Sequence, residues 1–556
     1  MKDKTNLMVF CVIILLIAFS CLRIFSLGFL NDEWLQLGYF YGLGIFAGIF
    51  DRYSFIDFLL GNGRILCVLI NNIFFYCFRD NPFPFAVFAL VFHTLNSYLA
   101  YLVTKELTGK KNIAFITALL FAVPATAHQA ISWFAATIQT VGGMTFVFVS
   151  IYTSLLGIKR KNAILSIASW ILAYIAFLFK ESSFFVFPLL LILPNIVVLK
   201  KTSINWKKYV TIFFIVCTLG YFKLNQFFQI PPGHLFTDES ISFIGKSLLN
   251  TAFYPLVSLG QFYIPFRFML RLSTTFGGYY YSFLAGATES NRAASVIVAD
   301  LLSIIVSFII ILLFFYIYLR KKPLRKVLCF AFCWYILSFI PMAVFLPERN
   351  TSYLESRYLY FSFYPVAFIT AVIWYELTKG IAGRFRNGML VWGIMICFLG
   401  VFLLKQITVM QREIRQNIVY GQDIRYTMSL VRSAYPGLPD KPIFLVEGDR
   451  NFYYAKINLP FQTGVGYMLA LIFRDNPVIP KEILAKNFLS KYEDYGYKEE
   501  GSKGFGYFGN REELLDFFRK NPHISPEQII SFYYFGYSRQ LKDQTQEVRS
   551  FIKENR

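Results

Sequence analysis

An α-helical polytopic membrane protein with a small C-terminal α/β domain is the fold class this sequence predicts, and three observations predict it. The first is composition. Over 556 residues, 56% are hydrophobic, 19% aromatic and only 16% charged, with a mean hydropathy of +0.51; an ordinary soluble domain is about a quarter charged. The second is that apolar runs of about 20 residues, the length that crosses a hydrocarbon core, recur along the first 405 positions. The third is where the basic residues fall. They cluster at Lys2 and Lys4; at Lys105, Lys110 and Lys111; at Lys159, Arg160 and Lys161; at Lys200, Lys201, Lys207 and Lys208; at Arg320, Lys321, Lys322, Arg325 and Lys326; and at Lys379, Arg384 and Arg386. Every second connection is basic and those between are not, which is the positive-inside rule. That rule accounts for a net charge of +21 without a polyanionic partner, so no nucleic acid is expected.

The first span is the apolar run 8–27, with the N-terminus cytoplasmic. It resembles a signal peptide in its basic start, but the run is long, Arg23 interrupts its outer end and no small-x-small site follows, so a retained span is expected. It exits in Phe29-Leu30-Asn31-Asp32-Glu33-Trp34. The first outer loop, 31–84, carries Asp51, Arg52, Asp57, Arg64, Arg79 and Asp80 and is too charged to cross lipid. Its stretches 55–60 and 65–78 suggest amphipathic helices lying on the outer membrane face. Further spans are expected at 85–103, 113–127 and 138–157, then on either side of Lys180-Glu181, then at 209–228. In the long outer loop, 229–292, the stretch 241–264 reads as re-entrant or interfacial, because counting it as a span would turn the Arg320–Lys326 cluster outward. Spans at 294–319, 327–346, 358–377 and 389–404 bring the total to about 11 and leave the C-terminus outside.

Residues 1–405 thus form the transmembrane domain and 406–556 an extracytoplasmic mixed α/β domain. Helical spacing at 411–434 precedes a strand-like 442–446, and helices are expected at 512–520 and 525–554. Gly504-Phe-Gly506-Tyr-Phe-Gly509 has the glycine spacing of a dinucleotide loop. Glu499, Glu500 and Lys503 precede it where a buried strand should lie and no βαβ pattern surrounds it, so an aromatic hairpin is expected instead. Six of the eight cysteines lie in apolar runs and read as core residues; Cys67 and Cys77 share the first outer loop, and the sequence leaves their pairing open.

Ionisable groups at the edges of spans are expensive, and the outer span ends gather a particular set. Asp32 and Glu33 follow the first span. A carboxylate beside a low-dielectric slab is harder to ionise and becomes a better base; the alternative is a solvated pair marking a helix exit. His128, Gln129 and Trp133 share the next outer connection, Lys180 and Glu181 the one after it, and Glu348, Arg349, Glu355 and Arg357 a third. Lys180-Glu181 also fits a helix-exit ion pair, and Arg357 a snorkelling residue with Tyr358 and Tyr360 in an aromatic belt. His93 and Asn96, on one face of the second span, equally fit hydrogen bonds between helices. Taken together, a basic outer cleft beside a carboxylate pair is suited to holding an anionic phosphate leaving group while a base activates an acceptor.

These residues resemble, in their order, the motifs of the C-type glycosyltransferase superfamily, polytopic enzymes that use polyprenyl-phosphate-linked sugars. The likeness is greatest to the transmembrane and tetratricopeptide-repeat O-mannosyltransferases and their bacterial relatives. The matching marks, over roughly the first 380 residues, are Asp32-Glu33; Arg64, with Ile65 where the family has proline; His93-Thr-Leu-Asn96; Leu120-Phe-Ala-Val-Pro124 with His128-Gln-Ala-Ile-Ser-Trp133; Lys180-Glu181; and Glu355-Ser-Arg357-Tyr-Leu-Tyr360. Pro124 and His128 are separated where the family has His-Pro, Ser356 divides Glu355 from Arg357, and no tetratricopeptide array follows.

The resemblance implies an inverting transfer of a sugar from a polyprenyl-phosphate donor to a protein or glycan acceptor at the outer face of a bacterial cytoplasmic membrane. It makes Asp32 the general base, with Glu33 orienting it or binding the acceptor. Arg64, Lys180, Arg349 and Arg357 would neutralise the departing phosphate. His93, Asn96, His128, Trp133, Glu181 and Glu355 would line the sugar or acceptor pocket. No cofactor is required and no divalent metal is expected. The rival readings are a transporter or flippase for a lipid-linked glycan, a ligase or polymerase of whole oligosaccharides on the same scaffold, and a noncatalytic scaffold.

Overall fold

The computed structural model describes residues 2–30, 32–45, 64–197, 238–265, 268–273, 290–345, 356–385, 387–448, 469, 471–473, 496–535, 538 and 540–556. The expectations placed on 55–60, 209–228, Arg349 and Glu355 lie outside the described residues. The chain is mostly helical. Among the described residues, seven helices are long and apolar enough to cross a membrane, and four shorter apolar helices accompany them.

In chain order the helices are α1 (Lys2–Cys21), α2 (Asp32–Leu43), α3 (Ile65–Phe78), α4 (Phe83–Thr108), α5 (Lys111–Phe121), α6 (Phe134–Arg160), α7 (Ala163–Phe179), α8 (Val186–Val197), α9 (Asp238–Tyr263), α10 (Ser290–Arg320), α11 (Arg325–Phe345), α12 (Tyr360–Ala382) and α13 (Gly388–Ala434). Their contacts define two ends of one bundle. At the basic end, Tyr101 and Lys105 donate to Asn6 Oδ1 at 3.4 and 3.2 Å, joining the start of α1 to the end of α4. Lys110 and Lys321 grip the two oxygens of Glu376 at 2.7 and 2.9 Å, tying α5, α10 and α12. Lys159 meets Glu106 at 2.7 Å, and Lys326 Nζ donates to Asn195 O at 3.2 Å. The even-numbered helices from α4 to α12 therefore finish where α1, α5, α7 and α11 begin.

Two sequence expectations change here. The stretch expected to be re-entrant or interfacial is the single helix α9, 26 residues long with Pro255 inside it. It runs antiparallel to α10: Gly260 lies against Ser303, and Ser307 Oγ donates to Leu256 O. Helix α9 rises from the basic end and matches the long helices in length, but it is more polar than the seven membrane-length ones. The second change concerns the domain boundary at 405. Helix α13 runs through it without a break for 47 residues, about 70 Å at 1.5 Å per residue. Its first half exposes Met389, Leu390, Ile396, Phe398, Val401 and Leu404, as a lipid-facing segment does. Its second half climbs the other end of the bundle, where Gln411 donates to Phe19 O, Asn417 to Ser132, and Arg425 to Leu27 O.

The C-terminal module hangs from the top of α13, where Tyr435 Oη donates to Ser531 O at 3.3 Å. It comprises β1 (Ile443–Gly448), β2 (Gly496–Glu500), β3 (Lys503–Phe508), α14 (Arg511–Lys520), β4 (Ile529–Phe535), β5 (Gln540–Asp543) and α15 (Thr545–Asn555). The sheet order is β2-β3-β1-β4-β5; β1 is parallel to β3 and β4, and the two edge strands are antiparallel. Alternation along β1 divides its side chains: Ile443 and Leu445 join Leu514, Phe518, Val548 and Ile552 beneath α14 and α15, while Phe444 and Val446 face the opposite way.

The expected hairpin is present as β2–β3, but a βαβ unit follows it, since β3, α14 and β4 form a crossover around β1. Gly504 and Gly506 lie within β3, where a Cβ would collide with Tyr497, and do not form a phosphate loop. The helix expected over 525–554 is only α15; Ile529–Phe535 and Gln540–Asp543 are strands. Cys67 and Cys77 both lie on α3, about 15 Å apart along its axis, and do not pair.

Candidate active site

Five segments converge at the end of the bundle opposite Lys110 and Lys321. The first contains Asp32 and Glu33, which open α2 and so place two carboxylates at a helix N-terminus, where the dipole favours them. Glu33 turns inward and is 0% exposed. Its Oε1 accepts from Ala135 N–H at 2.8 Å and its Oε2 from Leu30 N–H at 3.2 Å, pinning α2 to the start of α6. Burial pushes its carboxyl up to about 7; the Ala135 hydrogen bond opposes this and the charge of Asp32 adds to it. Glu33 is thus a buried anchor between α2 and α6, while its neighbour Asp32 stays partly exposed. Asp32 keeps its side chain 36% exposed, and its Oδ2 lies 3.9 Å from Arg357 Nη1.

Arg357 comes from the 3-10 turn Ser356–Leu359 that leads into α12. Its guanidinium carbon lies 4.0 Å above the Trp133 ring and 5.0 Å from that of Tyr358, and Nη2 donates to Tyr358 Oη at 3.3 Å. Two aromatic faces hold the cation in place. Its backbone N–H donates to Gln129 Oε1 at 3.4 Å, and Gln129 N–H donates to Ser356 Oγ at 3.0 Å, so the His128–Trp133 segment and the Arg357 turn are sewn together.

The third and fourth segments meet at a π-helical turn in α6, Ile138–Gly142. Such a turn inserts one residue and redirects neighbouring side chains. Gln139 Oε1 accepts from Arg64 Nη1 at 2.6 Å, and Thr140 Oγ accepts from Lys180 Nζ at 2.8 Å. Arg64 caps α3 in the left-handed region, φ 57°, a conformation that costs a non-glycine residue about 1–2 kcal/mol. Its fork holds Glu181 through Nε–Oε2 at 2.8 Å and Nη2–Oε1 at 2.6 Å, the geometry that suits a carboxylate. Lys180 is 1% exposed, with Tyr358 and Phe361 rings at 5.3 and 5.9 Å. Burial, then the nearby charge of Arg64, lowers its ammonium to about 7, with Glu181 opposing the fall and Arg357 adding to it. Asp32, Arg64, Lys180, Glu181, Arg357 and Trp133 therefore form one cluster. No protein-family model and no curated protein matches the chain.

Three expected pocket residues lie elsewhere. His93 and Asn96 are both 0% exposed in the crossing of α4, α5, α6 and α12. His93 bridges Tyr360 Oη at 2.7 Å and Ala122 O at 3.1 Å, while Asn96 donates to Val141 O at 2.9 Å and Tyr360 Oη at 3.3 Å. They join helices, the alternative their spacing had left open. His128 points away from the cluster toward Glu413 of α13, with Nε2 and Oε2 3.7 Å apart. Sequence reading missed Gln139 and Thr140, whose signal was polarity near the outer end of an apolar run, and Glu413, which a soluble-looking helix conceals. It also missed Asp300, 6% exposed within membrane-length α10, a charge that hydropathy alone should have flagged.

Proposed function

We propose that the protein is a membrane glycosyltransferase that moves a sugar from a polyprenyl-phosphate donor to an acceptor hydroxyl or amide, with inversion, on the face that carries Asp32. The observation that carries this reading is the Asp32–Arg357 pair, 3.9 Å apart, with Lys180 beside Arg357. The acceptor oxygen or nitrogen attacks the anomeric carbon as the carbon–oxygen bond to phosphate breaks. Asp32 takes the acceptor proton, and Arg357 and Lys180 receive the charge that develops on the phosphate. Such preorganised, charge-assisted contacts are worth about 1.5–3 kcal/mol each. Arg64 is committed to Glu181 and acts by fixing the α3 and α7 ends around the cluster.

In this reading α1, α4 to α8 and α9 to α13 each cross the membrane, eleven crossings among the described residues. The lysine-rich end is cytoplasmic by the positive-inside rule, so the cluster and the C-terminal module are extracytoplasmic. The deciding experiment is mass spectrometry of membrane glycoconjugates from cells with the wild-type protein, Asp32→Asn or no protein. Loss of the same modification in both altered strains is expected. A profile untouched by Asp32→Asn, with the protein still present in the membrane, would sink the proposal.

A further inference from the structure

We propose a second anion site, separate from the Asp32 cluster, that takes the phosphate of a membrane phospholipid. A cavity of about 170 Å³ opens between the C-terminal end of α9, the helical turn 268–273 after it, the 125–128 and Ser356–Leu359 turns and one face of α13. Its walls carry Arg271, Lys405 and Arg412 against a single carboxylate, Glu413, with His128 beside that carboxylate. Lys405 and Arg412 are seven residues apart on α13, two helical turns, which aligns both on the cavity face. The excess of cations alone would fit a solvated groove. What points to a ligand is Gln261, which lines the same cavity, is 3% exposed, and has a side-chain nitrogen without a hydrogen-bond partner. A buried donor is left unpaired only at a cost, so it calls for an acceptor. Cationic donors and an amide donor around one hollow fit the oxygens of a phosphate.

The rim identifies the source of that phosphate. Phe268, with Lys405 Nζ 5.0 Å from its ring, is 47% exposed, and Val401 and Leu404 on the lipid-facing part of α13 are 65% and 58% exposed. Acyl chains lying along these side chains would leave the headgroup in the cavity. The site adjoins the cluster across the Ser356–Leu359 turn but uses different cations: Ser356 and Leu359 line the cavity with Arg271, Lys405 and Arg412, whereas Arg357 of the same turn pairs with Asp32.

The test is native mass spectrometry of the full chain in detergent, titrated with short-chain phosphatidylglycerol, the diacylglycerol with the same chains, and inorganic phosphate. Wild type should hold one phosphatidylglycerol. The double variant Lys405→Gln/Arg412→Gln should lose at least about tenfold in affinity, the scale of one charge-assisted contact. Gln261→Leu should bind the lipid more weakly while raising the melting temperature of the lipid-free protein, a pair of effects that a merely structural glutamine would not give. Arg357→Gln should leave retention unchanged. Equal retention of diacylglycerol, wild-type affinity in the double variant, or equal loss in Arg357→Gln would each overturn the proposal. Inorganic phosphate binding as tightly as the lipid would overturn the assignment to a phospholipid.

Discussion

At the scale of single residues, Glu33 separates the two acids that the sequence presents as a pair. The gap between its ordinary value of 4.5 and about 7 corresponds to about 3 kcal/mol that burial of the charge costs the fold. The folded protein binds the proton more tightly than the unfolded chain, so this cost is absent below about pH 4.5 and complete above about 7. The melting temperature should therefore fall between about pH 4.5 and 7, and Glu33→Gln should flatten that slope in thermal unfolding of the detergent-solubilised protein. Glutamine can accept only one of the two N–H groups, so the variant should lose about 1–3 kcal/mol at pH 5. Lys180 works in the opposite sense. Its pKa is lowered, so the unfolded chain holds the proton more tightly and its contribution to stability rises between about pH 7 and 10. An arriving phosphate should restore its charge, with uptake of a proton. Affinity for a polyprenyl-phosphate donor should then weaken as pH rises above 7, and Lys180→Arg, always charged, should remove that dependence in an equilibrium binding assay. Asp32, Arg357 and Lys180 were legible in the sequence because charge at the end of an apolar run is costly. For Glu33 the sequence left two readings open, orienting Asp32 or binding the acceptor, and only its contacts with the backbone N–H groups of Leu30 and Ala135 favour the first.

At the scale of elements, α13 is what the sequence least disclosed. Composition changes near Lys405 from apolar to mixed, which reads as a domain boundary, yet no proline or helix-stopping sequence accompanies the change. Similarly, Ser525-Pro526-Glu527 carries the signature of a helix start, and it caps only the 3-10 turn Pro526–Gln528 before the β-branched and aromatic residues of β4 take over. Helix α13 meets the Leu27–Leu30 segment at its closest point, where Gly421 lies against Gly28: a Cβ on Gly421 would sit 3.1 Å from Gly28 Cα and N. Gly421→Val should push the helix away from the segment that supplies the Leu30 contact to Glu33. Glycan transfer should drop at least about tenfold, as misplacement near an aimed base predicts, while far-ultraviolet circular dichroism stays that of wild type. Unaltered transfer would show that this crossing does not set the position of Asp32.

Across the whole molecule, the organising feature is polarity between the two ends. Lys110, Lys321 and Glu376 close one end, and Asp32, Arg357 and the sheet module occupy the other. That separation was the most legible property of the sequence, because it is written in the alternation of basic connections. Replacing the native cysteines and introducing Glu554→Cys or Lys379→Cys tests it. A membrane-impermeant maleimide should label the first in intact cells and the second only after permeabilisation, and the reverse pattern would invert the orientation.

An unbroken α13 also makes the orientation of the module a matter of phase. Each residue turns an α-helix by about 100° and advances it 1.5 Å, so one residue inserted between Arg425 and Ala434 swings the sheet about a quarter of the way round the axis of α13. Seven inserted residues return it to within about 20° of its original azimuth, lifted by about 10 Å. Length changes in this stretch are therefore tolerated only when they come close to a whole number of turns, unlike those in a loop tether, where any number would serve.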